Sequence, residues 1–108
     1  MMIPKRSPIR SKTYREAAHG QDCTMWSPWC NGFADTVQFA HSDWGEDGKG
    51  KAQKADDVFG ADICNGCHSW LHNSKASREE KRDYFHRAMK RTIRRRYDMG
   101  LLSVKGAA

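Results

Sequence analysis

The sequence predicts a small α+β domain held together by a bound metal ion. Residues 36–41 alternate like a strand, residues 77–98 carry the cap and period of a long helix, and four cysteines are spaced to share one ion. The chain has 108 residues, 38% hydrophobic and 30% charged, with few Leu, Ile or Val. A domain of this size buries only about two-thirds of the surface its unfolded chain exposes. Something besides the core must stabilise it. No apolar run approaches the roughly 18 residues of a membrane span, or the roughly 7–15 of a secretory signal. A soluble, cytoplasmic protein with no membrane partner is therefore expected, and there reduced thiols favour a metal over disulfides.

Taken in order, residues 1–12 hold two prolines and scattered charge and read as a flexible basic arm, leaving 13–108 as a single domain. Thr13–Gly20 reads as a short helix stopped by its glycine. Residues 21–34 are turn-rich and lack a period. In TVQFAH (36–41), Val37, Phe39 and His41 share one face, which predicts a strand ending at His41. Residues 42–57, rich in glycine and charge, read as a long, partly mobile loop, a kind that is uncommon unless it has a task. VFGADIC (58–64) is a second short strand or turn, and CHSWLHN (67–73) opens a helix. Ser77 with Glu80 forms a capping box for a helix ending near Asp98, before Gly100. Its stripe of Phe85, Met89, Ile93 and Tyr97, joined by Ala88, should pack on the domain, with Arg82, Arg87, Lys90, Arg91, Arg94 and Arg95 over the rest of its surface.

Cys64-Asn-Gly-Cys67 is a C-x2-C knuckle, a common half of a structural zinc site, and its glycine is expected to let the backbone turn. Cys23 and Cys30 supply the other half. A redox C-x-x-C pair is the competing reading, but it expects a βαβ setting that the sequence lacks. His68 and His72 stand four residues apart on the helix that follows, so both imidazoles project from one face and can bind one cation.

A strand-ending histidine, a long loop, C-x2-C-H and then a second histidine resemble the layout of a ββα-metal (HNH, His-Me finger) endonuclease. More narrowly, GQDC (20–23), Cys30, TVQFAH (36–41), GKGKAQKADD (48–57), CNGCHSWLH (64–72) and MGLLSV (99–104) resemble the small phage and prophage nucleases of the YbcO-like family. The resemblance covers about residues 11–104. It implies a metal-dependent DNA endonuclease acting in phage DNA processing or recombination. His41 takes the place of the general base. His68 and His72 take the places of ligands to a catalytic divalent cation (Mg2+, Mn2+ or Zn2+), alongside the structural zinc. The asparagine that orients the base in the family is missing, and Asp57 or Asp56 is the nearest polar substitute. Ala40 stands where many relatives carry a metal ligand, so either a carboxylate such as Asp43 completes the cation site or His41 is itself a ligand.

The charge is segregated. Residues 1–22, 23–74 and 75–108 carry net charges of +3, −4 and +7, within a total of +6. Basic ends around an acidic centre suit an anionic polymer gripped at its backbone, with a cation in the middle. Lys49, Lys51 and Lys54 in the glycine-rich loop, with Arg87, Lys90, Arg91, Arg94 and Arg95 on the last helix, are the candidate DNA contacts. G-K-G-K lacks the spacing of a nucleotide-binding loop. Trp26, Trp29, Trp44 and Trp70 are expected to pack around the metal sites rather than stack on bases. Oligomeric state stays open, a homodimer among the options. The alternative function is a non-catalytic, zinc-stabilised nucleic-acid-binding module.

Overall fold

The computed structural model describes residues 7–50 and 53–107. Five principal elements follow one another: α1 (Lys12–Glu16), β1 (Gln38–His41), β2 (Gly60–Ile63), α2 (Asn65–Asn73) and α3 (Arg78–Asp98), with single 3-10 turns at Ala34–Thr36 and Gly45–Asp47. The two strands pair antiparallel, His41 opposite Gly60 and Gln38 opposite Ile63. Gly60 is required by packing: a Cβ there would strike the Phe39 ring and the Ala40 carbonyl oxygen.

β1 is shorter than the alternation in residues 36–41 suggests, because Thr36 closes the preceding turn through its hydroxyl on the Phe33 carbonyl. α1 begins where the Ser11 hydroxyl accepts the Tyr14 N–H, and it gives way to turns before Gly20, whose φ is 79°. Within the predicted basic arm, residues 1–6 lie outside the described residues, whereas residues 9–11 are tied to 55–57. Ile9 N–H donates to Asp56 Oδ1 (3.2 Å), Asp57 N–H to the Ile9 carbonyl (2.9 Å) and Ser11 N–H to Asp57 Oδ2 (2.6 Å). The loop 42–57 is likewise anchored. Trp44, Asp47 and Ala55–Asp57 are buried, the Ser42 hydroxyl donates to Asp47 Oδ2 (2.5 Å), and His86 of α3 meets the same oxygen (2.9 Å). Polar contacts that leave no trace in a hydrophobic pattern hold both segments.

α3 matches its predicted span, with the Ser77 hydroxyl accepting the Glu80 N–H at its start. Its buried seam is Phe85, Ala88, Thr92 and Arg96 rather than Phe85, Met89, Ile93 and Tyr97. The cause lies on β2, whose buried Asp62 demands polar partners. Thr92 Oγ1 accepts the Asp62 N–H (3.1 Å), and the fully buried Arg96 forks onto both carboxylate oxygens (2.8 and 2.5 Å) while its Nε–H reaches the Tyr14 carbonyl (2.8 Å). Ile93 and Tyr97 are half-buried and line a groove with Leu102 and Val104 of the tail. Buried carboxylates are tolerated when paired and hydrogen-bonded. Here that pairing joins α1, β2 and α3.

Candidate functional site

Two arrangements of side chains stand out. In the first, Cys23 and Cys30 from the irregular segment before β1 meet Cys64 and Cys67 at the start of α2, with all four sulfurs within 4.8 Å of one another and none disulfide-bonded. Cys23 Sγ is 3.6 Å from Cys67 Sγ, and Cys64 Sγ is 3.8 Å from Cys30 Sγ. Four sulfurs about 2.3 Å from a tetrahedral zinc lie about 3.8 Å apart, so the set fits that ion. The donors around it also suit thiolates: the N–H groups of Met25 and Cys64 point at Cys23 Sγ, that of Cys67 at Cys64 Sγ, and the Ser27 hydroxyl at Cys67 Sγ. The hydrogen bond shared with the Cys67 sulfur lowers the Cys23 pKa well below the ordinary thiol value against the opposing effect of burial, with help from the N–H groups of Cys64 and Met25. The four cysteines can hold a metal ion such as zinc. Gly66 has a different role from a turn residue: it is helical, and a Cβ on it would collide with the Trp29 carbonyl, so its bareness lets the two halves of the site close.

The second arrangement is a cavity of about 580 Å³ among β1, α2 and the start of α3, lined by His41, Asp43, His68 and His72 among others. Cys64 caps α2, so the thiolate centre sets the first turn of the helix that carries both of the latter histidines. Their Nε2 atoms lie 3.3 Å apart. Partial burial and the neighbouring His72 lower the His68 pKa, with Asp43 opposing, so the imidazole keeps a free lone pair at neutral pH. At the end of β1, His41 Nε2 meets Asp57 Oδ1 at 2.7 Å. Asp57 is fully buried and also takes Ser11 N–H and Arg15 Nη1, each at 2.6 Å. Burial pushes its carboxyl up, but the hydrogen bonds from His41, Ser11 and Arg15 outweigh that and leave its pKa below the ordinary value. Of the two aspartates considered for this place, Asp57 meets His41 and Asp56 takes the Ile9 N–H. Among the described residues, the four cysteines form the cluster of three or more such side chains close enough to share an ion. His41 and Asp43 line the same cavity as the His68–His72 pair, but no three of these four side chains lie close enough together to share an ion.

The family described as "Putative nuclease YbcO" matches residues 12–101. The chain belongs to the YbcO family. A solved structure titled as that of a "putative bacteriophage protein" from Escherichia coli str. K-12 substr. MG1655 shares its fold, with a TM-score of 0.64 and 22% identity over 82% of this chain and 100% of that one. No individually curated protein matches it.

In this YbcO-family chain the predicted cationic residues divide. Arg87, Lys90 and Arg94 are exposed on α3, as are Lys49 and Lys54 on the loop, while Lys51 lies outside the described residues. Arg91 and Arg95 are engaged with the fold. Arg91 donates to the Thr24 carbonyl (2.7 Å), and Arg95 donates to the Asp22 carbonyl and to Asp62 Oδ2 (each 2.9 Å). Sequence reasoning missed Arg78 and Lys81, which line the histidine cavity from the first turn of α3. Their spacing of three was the available signal, hidden in a helix basic along its whole length. Trp44 and Trp70 are buried as expected, whereas Trp26 and Trp29 are 60% and 47% exposed. No helix of the described residues is long and apolar enough to cross a membrane.

Proposed function

We propose that this chain is a divalent-metal-dependent DNA endonuclease of the ββα-metal type, acting in phage DNA processing. The observation that carries the reading is the His41–Asp57 pair, 2.7 Å long, at a cavity that also holds His68 and His72. Membership in a family described as nucleases and the succession β1, β2, α2 support it.

Asp57, kept ionised, accepts the proton on His41 Nε2 and so selects the tautomer in which Nδ1 carries the lone pair. Nδ1 then removes a proton from the water that attacks phosphorus. This is the orienting role for which the sequence offers no asparagine, and a carboxylate performs it with the further effect of stabilising the imidazolium once formed. His68 and His72 would each offer a ring nitrogen to one divalent cation, which would also bind the phosphate. Bound there, a divalent ion would neutralise charge on the phosphate and on the departing 3′ oxygen. Arg78 and Lys81, at the rim of the same cavity, add positive charge for the scissile phosphate. The four-cysteine centre is structural in this account. DNA backbone contacts fall to exposed Arg87, Lys90 and Arg94, with Lys49, Lys51 and Lys54 on the loop.

The test is cleavage of supercoiled plasmid with Mg2+ or Mn2+ by wild type, His68→Ala and His72→Ala. Nicking by wild type and its loss in both variants, with zinc content unchanged, supports the proposal. Tight, salt-sensitive DNA binding with no cutting under any divalent ion would instead identify the non-catalytic module.

A further inference from the structure

We infer that Trp26 is a stacking platform for an unpaired DNA base, so that the substrate carries single-stranded nucleotides beside the duplex or strand that is cut. This deepens the nuclease reading and rests on it for the identity of the ligand as DNA. Trp26 has a φ of 56°, an outlier for a bulky residue, and its side chain remains 60% exposed. Burial of the indole therefore does not explain its strained position. The ring is nonetheless rigidly set: Nε1–H donates to the Cys23 carbonyl at 2.8 Å, and the Arg91 guanidinium lies 3.7 Å from the ring centroid.

One edge and one face are thus engaged, and a flat apolar face is left to solvent. The surroundings favour a polyanion. Arg91 and Arg95, both bonded to the fold, line a cavity of about 580 Å³ with Trp26, Asp22, Cys23 and Cys30, and exposed Arg87 and Arg94 flank Arg91 on the same side of α3 and add solvent-facing positive charge. The same irregular segment also exposes Trp29 (47%) and Phe33 (63%). Aromatic faces interleaved with cationic side chains are how proteins hold single strands without reading sequence, since every base has a π-face. A protein partner would meet strong positive charge around a small apolar patch, a poorer match.

The platform is distinct from the histidine cavity. α3 lines that cavity from Arg78 to Phe85, and Arg91 lies six to thirteen residues further along, about 9–20 Å at a helical rise of 1.5 Å per residue. At about 3.4 Å per nucleotide step of one strand, the two are about three to six steps apart.

The experiment is fluorescence anisotropy of zinc-loaded protein with a labelled 20-nucleotide oligothymidine and with a 20-base-pair duplex, without added divalent cation. Trp26→Ala is expected to weaken single-strand binding by roughly 5- to 150-fold, the range for loss of one stacked base. Trp26→Phe should recover most of it, and duplex affinity should change less than about twofold. Zinc content and thermal melting report whether each variant is folded. Unchanged single-strand binding in both variants, or equal losses for single strand and duplex, overturns the inference. Plasmid cutting by Trp26→Ala separates the two readings: cutting with undiminished single-strand binding removes the platform and leaves the nuclease, and selective loss of single-strand binding in a protein that never cuts does the reverse.

Discussion

Replacing Arg96 by methionine should destabilise the domain by about 3 kcal/mol, near the lower end of the range for breaking a buried ion pair. Arg96 and Asp62 are both fully buried, and the guanidinium makes two bonds to the carboxylate and one to the Tyr14 carbonyl. Methionine fills much of the same space, so the main cost is a buried carboxylate stripped of its principal cation. Arg95, 2.9 Å away with its side chain 23% exposed, offsets part of that charge and sets the lower end. A domain of this size has a total stability of about 5–16 kcal/mol, so the change is a large fraction of it. The melting temperature should fall by roughly 10 °C or more. The assay is urea unfolding of zinc-loaded wild type, Arg96→Met, Asp62→Leu and the double variant. The double variant should be less destabilised than the sum of the singles by at least about 1 kcal/mol, because no charge is then stranded. A cost below about 1 kcal/mol for Arg96→Met, or additive singles, would mean that Asp62 is not stranded by the loss of Arg96.

Removing the metal with a chelator at pH 7 should abolish cooperative unfolding, since structural zinc contributes about 10–16 kcal/mol in small domains, and release should be one ion per chain by colorimetric titration. An unchanged melt in metal-free protein would contradict this. Because the folded-state pKa of Asp57 is lowered, its contribution to stability is complete above the ordinary carboxylate value and is lost as pH falls through the lower folded value. The stability difference between wild type and Asp57→Asn should therefore shrink in urea titrations as pH falls below the ordinary carboxylate value, over the range in which both proteins keep their zinc, and a constant difference there would count against the assignment. Gly60→Ala should cost about 1–3 kcal/mol by forcing a methyl onto the Phe39 ring and the Ala40 carbonyl, read as a lower urea midpoint; an unchanged midpoint would mean that the strands can spread.

What the sequence made legible follows from which signals are local. The Ser77 cap, the C-x2-C knuckle and the spacing of His68 and His72 each declare themselves within a few residues, and α3, the cysteine cluster and the histidine pair stand where those signals indicate. The seam of α3 was misplaced because Thr92 and Arg96 are polar and their burial depends on Asp62, thirty residues away. The anchoring of residues 9–11 and of the described part of 42–57 was hidden for the same reason: Asp47, Asp56 and Asp57 look like solvated acids until their partners are known. Asp57 could be nominated beside Asp56 from its place in the chain, but choosing between them needed the fold. Trp26 ran against hydrophobicity altogether: it is exposed and holds a backbone conformation that the residue type disfavours.

In the proposed reaction His41, oriented by Asp57, activates water at a phosphate held over His68 and His72. The most direct measurement is the initial rate of supercoiled-plasmid cutting by wild type and His41→Ala in saturating Mn2+ or Mg2+, with equal zinc content and melting temperature. Wild type should cut, and the rate in the variant should be lower by about 100- to 10,000-fold, the usual contribution of a general base. Equal rates in the two proteins would contradict that role.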